Sequence, residues 1–174
     1  MRTLIHFTSK AGLDIEGLGK KYIEQLYEKK IITSIPDIYL LTKEKLAGLE
    51  GWGEKSASNA INAVSQKKQP ELGKFLAALG IRHIGEITAS VLEKHFSSLP
   101  ELQKATYDSL IEIDSIGDQA AASIVSYFKD EQVKNMFDKL EDIGVTPQKS
   151  NMEQFKEDLP LNGETVLFTG SLST

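Results

Sequence analysis

The chain has no cysteine among its 174 residues, so it offers neither a disulfide framework nor a thiolate ligand for zinc. Its three histidines have no metal-ligand spacing among them. No segment approaches the roughly 20 apolar residues of a membrane span, and the N-terminus lacks the apolar run of a signal peptide. We therefore expect a cytoplasmic protein with no metal site and no membrane partner.

Recognisable catalytic motifs are also missing. Gly17-Leu18-Gly19-Lys20-Lys21-Tyr22 lacks the third glycine and the preceding strand of a dinucleotide site, and no P-loop is present. No Ser/His/Asp or Cys/His arrangement can be read from the spacing. With 40% apolar residues the chain can still bury a globular core. We predict no catalytic residue and a binding role instead.

Positive charge is scarce overall, with 20 Lys and Arg against 25 Asp and Glu. The imbalance is confined to the end, because residues 1–105 hold 15 basic and 12 acidic residues while 106–174 hold 5 and 13. This excludes a binder that depends on dense Lys/Arg neutralisation of phosphates. It is compatible with one that donates backbone N–H groups to phosphates.

What the chain does have is an internal repeat. Four short glycine-type turns recur at intervals of 34, 32 and 32 residues: Gly17-Leu18-Gly19, Gly51-Trp52-Gly53, His83-Ile84-Gly85 and Ser115-Ile116-Gly117. Each is followed, four residues after its last glycine, by a small or aliphatic residue, and apolar helical patterns flank it on both sides. The repeating unit is therefore predicted to be helix, tight turn, helix.

A longer period shows that the units are paired. Ser34, Pro36, Thr42 and Gly53 return 64 residues later as Ser98, Pro100, Thr106 and Gly117. We predict an all-α domain over residues 1–145, built as two tandem paired units with halves of about 1–68 and 69–145. Residues 146–160 are polar and are predicted to be a linker. The last segment, 161–174, contains the β-type run Thr165 to Gly170, which indicates a truncated β-strand tail.

The turns suit phosphate binding. Their glycines let the backbone approach a flat anion, and the free N–H groups at the start of the following helix carry a partial positive potential. We expect the central apolar residues Leu18, Trp52, Ile84 and Ile116 to plug into their own helix pairs. Backbone contacts of this kind position a protein on DNA without reading its sequence. The predicted DNA-binding residues are therefore the four turns themselves.

Side chains near three of the turns can add charge-assisted contacts: Lys20 and Lys21 at the first, Lys55 at the second, and Arg82 with His83 at the third. Because His83 and Ser115 replace the first glycine, we expect those turns to adjust. Two roles of His83 remain open: its side chain contacts DNA, or the turn simply tolerates it. In the fourth turn Asp114 and Asp118 repel phosphate, so a structural role is at least as well supported there.

Two further features have competing interpretations. Trp52 is either a wedge for a DNA groove or, the favoured alternative, a packing residue like the aliphatic residues at the other turns. The carboxylates of Asp108, Glu112, Asp114 and Asp118 resemble a metal site only loosely, and a solvated surface explains them better.

Three stretches resemble one family. Arg2 to Gly19, Leu49 to Ala57 and above all Leu76-Ala77-Ala78-Leu79-Gly80-Ile81-Arg82-His83-Ile84-Gly85-Glu86 are similar to the helix-hairpin-helix domain of bacterial NAD-dependent DNA ligases. The likeness covers residues 2 to about 145. The closing Leu161 to Gly170 resembles the opening of the BRCT domain that follows in that family.

This resemblance implies a non-catalytic piece of a bacterial ligase that clamps nicked duplex DNA through the minor groove during replication and repair. The family uses NAD and Mg, with zinc in a cysteine module that is absent here. The chain also lacks the family's KxDG adenylation motif, so it is expected to be inactive alone, to need no cofactor itself and to act as a monomer. The alternatives are a DNA-binding module of another repair or recombination protein, and a protein-interaction scaffold.

Overall fold

The computed structural model describes residues 1–150, and within them all regular structure is helical. The predicted strand tail of 161–174 and the greater part of the predicted linker lie outside the described residues. Eleven helices occur in residues 1–150: α1 Arg2–Thr8, α2 Lys20–Glu28, α3 Ile35–Tyr39, α4 Lys43–Ala47, α5 Glu54–Gln66, α6 Leu72–Ala78, α7 Glu86–His95, α8 Leu99–Gln103, α9 Tyr107–Ile111, α10 Asp118–Lys129 and α11 Glu131–Asp142.

The helix pairs follow the predicted repeat. The four turns join α1 to α2, α4 to α5, α6 to α7 and α9 to α10, and short helices connect the pairs. Side chains cap the short helices α3 and α4: the Asp37 carboxylate accepts the Ser34 N–H at α3, and Thr42 accepts from the Lys45 N–H at α4. Ser98 and Thr106 repeat the arrangement at α8 and α9.

The first helix ends earlier than the sequence indicates. Apolar residues Leu4, Ile5 and Phe7 followed by Gly12 predict a helix that continues to Ala11, but α1 ends at Thr8. The chain then folds back so closely that a Cβ on Gly12 would lie 2.3 Å from the His6 carbonyl oxygen. Gly12 is therefore required by the close approach of two backbone segments and does not terminate the helix directly.

A single core runs through both halves. Phe7, completely buried, makes edge-on ring contacts with Tyr39 and Phe75 at centroid distances of 6.2 and 6.1 Å. Phe75 in turn lies 6.4 Å from Phe137 of the last helix. His6 adds a polar link, with Nε2 2.8 Å from the Ala77 carbonyl oxygen. The two halves are thus packed together.

The chain after α11 returns to the connector between the halves. The N–H groups of Thr146 and Gln148 donate to the carbonyls of Lys68 and Pro70 at 2.8 and 2.9 Å, and the Leu72 N–H donates to the Gln148 carbonyl at 2.7 Å. We call residues 145–150 the strap. The first residues of the predicted linker are therefore hydrogen-bonded to the domain.

Candidate nucleic-acid interface

The four turns share one backbone conformation. Their first residue is left-handed in every case, with φ of 84° at Gly17, 83° at Gly51, 65° at His83 and 72° at Ser115. The next residue donates its N–H to the carbonyl three residues earlier: Leu18 to Ile15, Trp52 to Leu49, Ile84 to Ile81 and Ile116 to Ile113, at 3.0–3.2 Å. We refer to these four turns as hairpins one to four.

Hairpins three and four do not adjust to the loss of their first glycine. We expected a different turn at His83 and Ser115, and this expectation is wrong, because both residues keep the left-handed backbone. A residue with a Cβ in this region is strained by roughly 1–2 kcal/mol. The hairpin hydrogen bond and the buried residue that follows hold the conformation against this strain.

The central residue of each hairpin is buried, as predicted, although the contacts of Trp52 include Gln25 and Tyr22 of α2, outside its own helix pair. The side chains of Leu18, Trp52, Ile84 and Ile116 are buried, with Trp52 the most exposed of them at 7%. Their side chains therefore face the core and cannot reach a ligand. Their N–H groups donate within the hairpin as well, so these four residues shape the predicted site and do not supply its donors.

Trp52 is held by the helix that follows hairpin one. Its Nε1 donates to Oε1 of Gln25 at 3.0 Å, and its ring lies 4.5 Å from that of Tyr22. The same Gln25 amide donates through Nε2 to the Glu50 carbonyl at 2.9 Å. The groove-wedge interpretation of Trp52 is therefore wrong. Sequence reasoning missed Gln25, since nothing in its local pattern reveals a partner 27 residues away.

Hairpins one and two contact each other's helices reciprocally. On one side the Tyr22 hydroxyl donates to the Gly51 carbonyl at 3.3 Å. On the other, a Cβ on Gly17 would lie 3.3 Å from the Ala60 Cβ of α5. This exchange gives the first half the paired arrangement that the longer sequence period predicts.

The second glycine of each hairpin has a different role from the first. Gly19, Gly53, Gly85 and Gly117 are the N-caps of α2, α5, α7 and α10, with φ between −67° and −108°. A Cβ on any of them would meet no atom within 4 Å. Neither backbone conformation nor packing inside the molecule therefore requires glycine at these positions.

Most other helices in residues 1–150 have a side-chain cap. Oxygens of the N-cap residues Thr42, Ser98, Thr106 and Asp130 accept first-turn N–H groups, and at α3 the Asp37 carboxylate accepts the Ser34 N–H. Helices α1 and α6 have no side-chain cap. Such caps satisfy one of the free N–H groups of the first turn. The hairpin helices lack them, so their first N–H groups remain open at the positive end of the helix dipole. Only at hairpin two is the Gly53 N–H itself satisfied, by Oγ of Ser56 at 2.9 Å.

The predicted cationic side chains surround this surface. Lys20, Lys21, Lys55, Arg82 and His83 are all exposed. Lys20 lies 3.8 Å from Glu24, a solvent-exposed ion pair that leaves its ammonium available. The structure thus presents these side chains at hairpins one to three, beside the open helix N-termini.

Hairpin four differs from the others in charge. Residues 112–119 contain no Lys or Arg, and Asp118 Oδ1 accepts a hydrogen bond from the Tyr107 hydroxyl at 2.8 Å. That bond, with the negative charge of Asp118 and Asp108, raises the pKa of Tyr107. Acidic residues also precede hairpins one and two, at Glu16 and Glu50, so the missing cation distinguishes hairpin four more than its carboxylates do.

Residues 1–150 contain neither a candidate metal centre nor a candidate membrane span. No group of three or more His, Asp or Glu side chains there is arranged to hold a metal ion. None of the helices in this part of the chain combines the length and apolar character needed to cross a bilayer.

Family models assign both halves to one class of protein. Residues 11–65 match the model described as a SAM-like helix-hairpin-helix tandem, and residues 74–137 match a helix-hairpin-helix motif model. The chain therefore belongs to the helix-hairpin-helix family.

Within that class it corresponds to the helix-hairpin-helix segment of bacterial DNA ligases. It is 41% identical to a DNA ligase of Bacillus licheniformis over 98% of this chain and 26% of that protein. It is 40% identical to a DNA ligase of Clostridium novyi over 100% of this chain and 26% of that protein, and 39% identical to one of Geobacter sulfurreducens over 98% and 25%. The chain thus spans about a quarter of the length of these relatives.

Proposed function

We propose that this chain binds the sugar-phosphate backbone of nicked duplex DNA, without sequence preference, as the DNA-gripping segment of a bacterial NAD-dependent ligase. The phosphates are bound by the first N–H groups of α2, α5 and α7, together with those hairpin N–H groups that make no hydrogen bond within the protein. Lys20, Lys21, Lys55, Arg82 and His83 supplement them with side-chain contacts. Hairpin four contributes through its backbone alone.

The contrast between helix caps carries this proposal. In residues 1–150, side-chain oxygens of the N-cap residue cap α4, α8, α9 and α11, and the Asp37 carboxylate accepts the Ser34 N–H at α3. The four hairpin helices instead begin with a glycine that has open space around it, and α1 and α6 also lack a side-chain cap. A side-chain oxygen at those four positions would occupy the place of an anion. The molecule therefore has no N-cap side chain at these four helices, although such a side chain would stabilise them.

The parent protein supplies the chemistry in this proposal. Bacterial DNA ligases are the relatives, and the cofactors NAD, Mg and zinc are assigned to the parts of the parent outside this chain. The absence of cysteine fits that assignment, because a thiolate zinc module would need it. We infer replication and repair in the bacterial cytoplasm as the setting, with the chain monomeric on its DNA.

A module of another repair protein and a protein-interaction scaffold are less well supported. The first does not fit the match to DNA ligases over nearly the whole chain. The second gives no reason for the open N-cap glycines, since helices that only connect would be more stable with a side-chain cap.

Fluorescence anisotropy with the 174-residue chain tests the proposal. Nicked duplex, intact duplex and single strand are titrated across a salt series. We expect duplex to bind more tightly than single strand, with a shallow salt slope because neutral N–H groups release no counterions. Equal binding to duplex and single strand, or no binding, would contradict it.

A capping variant gives a sharper result, because it separates stability from binding. In Gly85→Ser the hydroxyl caps α7, so thermal stability stays equal or rises by a few tenths of a kcal/mol while DNA affinity falls. The matched control is Gly48→Ser, at a glycine that also has open space but lies at the C-cap of α4. If Gly85→Ser binds DNA as tightly as Gly48→Ser does, hairpin three is not part of the interface.

A further inference from the structure

The first turn of α7 carries an unusually exposed apolar side chain. Ile87 is 81% exposed, whereas the next most exposed large aliphatic residue of residues 1–150, apart from the terminal methionine, is Leu40 at 50%. Ile87 lies two residues after the N-cap Gly85 and four residues after His83. No packing role within the described molecule accounts for its identity.

The residues at the equivalent position of the other hairpins indicate which way the Ile87 side chain faces. Two residues after the N-cap glycine stand Lys21 in hairpin one, Lys55 in hairpin two and Gln119 in hairpin four, all exposed. Because the four helices begin with the same backbone, these side chains leave the first turn in the same direction relative to their hairpins. Two of them are among the cations expected to reach phosphate. Ile87 therefore occupies a ligand-facing position with an apolar group.

We propose that Ile87 lies against the deoxyribose C–H faces of duplex DNA, beside the phosphates bound by hairpin three. The inference rests on the proposed function and adds an apolar subsite to it. The neighbouring Arg82 supplies the charge that the position itself lacks, so hairpin three combines an ionic contact with an apolar contact to sugar. Sugar rings offer the same C–H surface at every base pair, so this contact keeps the binding independent of sequence.

The test uses salt dependence, which distinguishes apolar from ionic contacts. In Ile87→Ala, loss of the buried methyl and methylene groups is expected to weaken duplex binding about tenfold at every salt concentration. The salt slope stays as in the wild-type chain, since no counterion release is lost. In Ile87→Lys, a new phosphate contact steepens the slope by about 0.9, so the affinity loss is small in low salt and large in high salt.

Leu40→Ala is the matched control, because it truncates an exposed aliphatic residue at the end of α3, outside the four hairpins and the helices that flank them. Circular dichroism should show all three variants folded, since both positions are exposed. The inference is overturned if Ile87→Ala binds duplex as tightly as Leu40→Ala does. It is also overturned if the salt slope of Ile87→Lys equals that of the wild-type chain. If the wild-type chain itself binds no duplex, the proposed function fails. If it binds and the Ile87 variants match it, only the apolar subsite fails.

Discussion

At the scale of single residues, the first position of each hairpin shows how far tertiary structure can override local preference. Gly17 and Gly51 adopt the left-handed backbone at no steric cost, whereas His83 and Ser115 adopt it against their preference. The exposed His83 side chain gains no partner among the described residues from this arrangement. Its conformation is therefore imposed by the turn.

We predict that His83→Gly stabilises the protein by about 0.5–1 kcal/mol, because relief of left-handed strain exceeds the extra freedom of glycine in the unfolded chain. Urea denaturation measures this. The control is His83→Ala, which removes the imidazole but keeps a Cβ at φ 65° and so should not be stabilised.

The same two variants decide the role of His83 on DNA. Equal loss of DNA affinity in both indicates an imidazole contact, and unchanged affinity indicates that the turn simply tolerates His83. No gain in stability for His83→Gly would contradict the strain argument.

At the scale of elements, the short helices depend on their caps, and α3 is the strongest example. Partial burial acts to raise the pKa of Asp37, but four hydrogen bonds to its Oδ2, from the backbone and hydroxyl groups of Thr33 and Ser34, lower it overall. A carboxylate with a lowered pKa stabilises the fold when it is ionised. Its contribution is present above the pKa of the unfolded state and is lost as pH falls through the lower pKa of the folded state.

We therefore predict that Asp37→Asn lowers the free energy of unfolding by about 1 kcal/mol at pH 7, and that the difference from wild type shrinks on acidification below about pH 4. Urea titrations at a series of pH values measure both effects. Glu101→Gln is the matched control at α8, where the carboxylate accepts one bond, from the Ser97 N–H at 2.7 Å. It should lower the free energy of unfolding at pH 7 by less than Asp37→Asn does, because one hydrogen bond is weakened and not four. A constant difference across this pH range would mean that Asp37 acts through packing instead.

The elements also show what could be read from the sequence. Ala57, Ile61 and Val64 at helical spacing predict a helix over residues 54–66, and α5 has these bounds because a hairpin glycine and a polar connector mark its two ends locally. The burial of the central hairpin residues was predictable from the same local pattern. The end of α1 and the Gln25 bridge to Trp52 were not, since each depends on a close approach between segments that have no shared local pattern. The N-cap glycines were visible in sequence, but the open space around them needed the structure.

At the scale of the whole molecule, two repeats form one structural unit. Phe7 connects them through its ring contacts with Tyr39 and Phe75, and the strap adds hydrogen bonds to Lys68, Pro70 and Leu72 at the junction. Lys68 Nζ completes this connection by donating to the Ile143 carbonyl at 3.2 Å. Because hairpins in both halves are proposed to hold one duplex, their relative position must be fixed. The junction therefore matters for DNA binding as well as for stability.

The strap is expected to contribute measurably to this junction. Gln148→Pro removes the N–H that donates to the Pro70 carbonyl, so it should destabilise the protein by about 1–2 kcal/mol and lower Tm by several degrees. Gln148→Ala is the control, because it removes the exposed side chain and retains the backbone donor.

Trp52, the only tryptophan, reports on the first half by fluorescence, while circular dichroism reports on both halves. The two melting curves should coincide for the wild-type chain, as two-state unfolding requires, and Gln148→Pro should shift both. Separate transitions in the wild type, or a Tm for Gln148→Pro equal to that of Gln148→Ala, would mean that the strap does not hold the halves together.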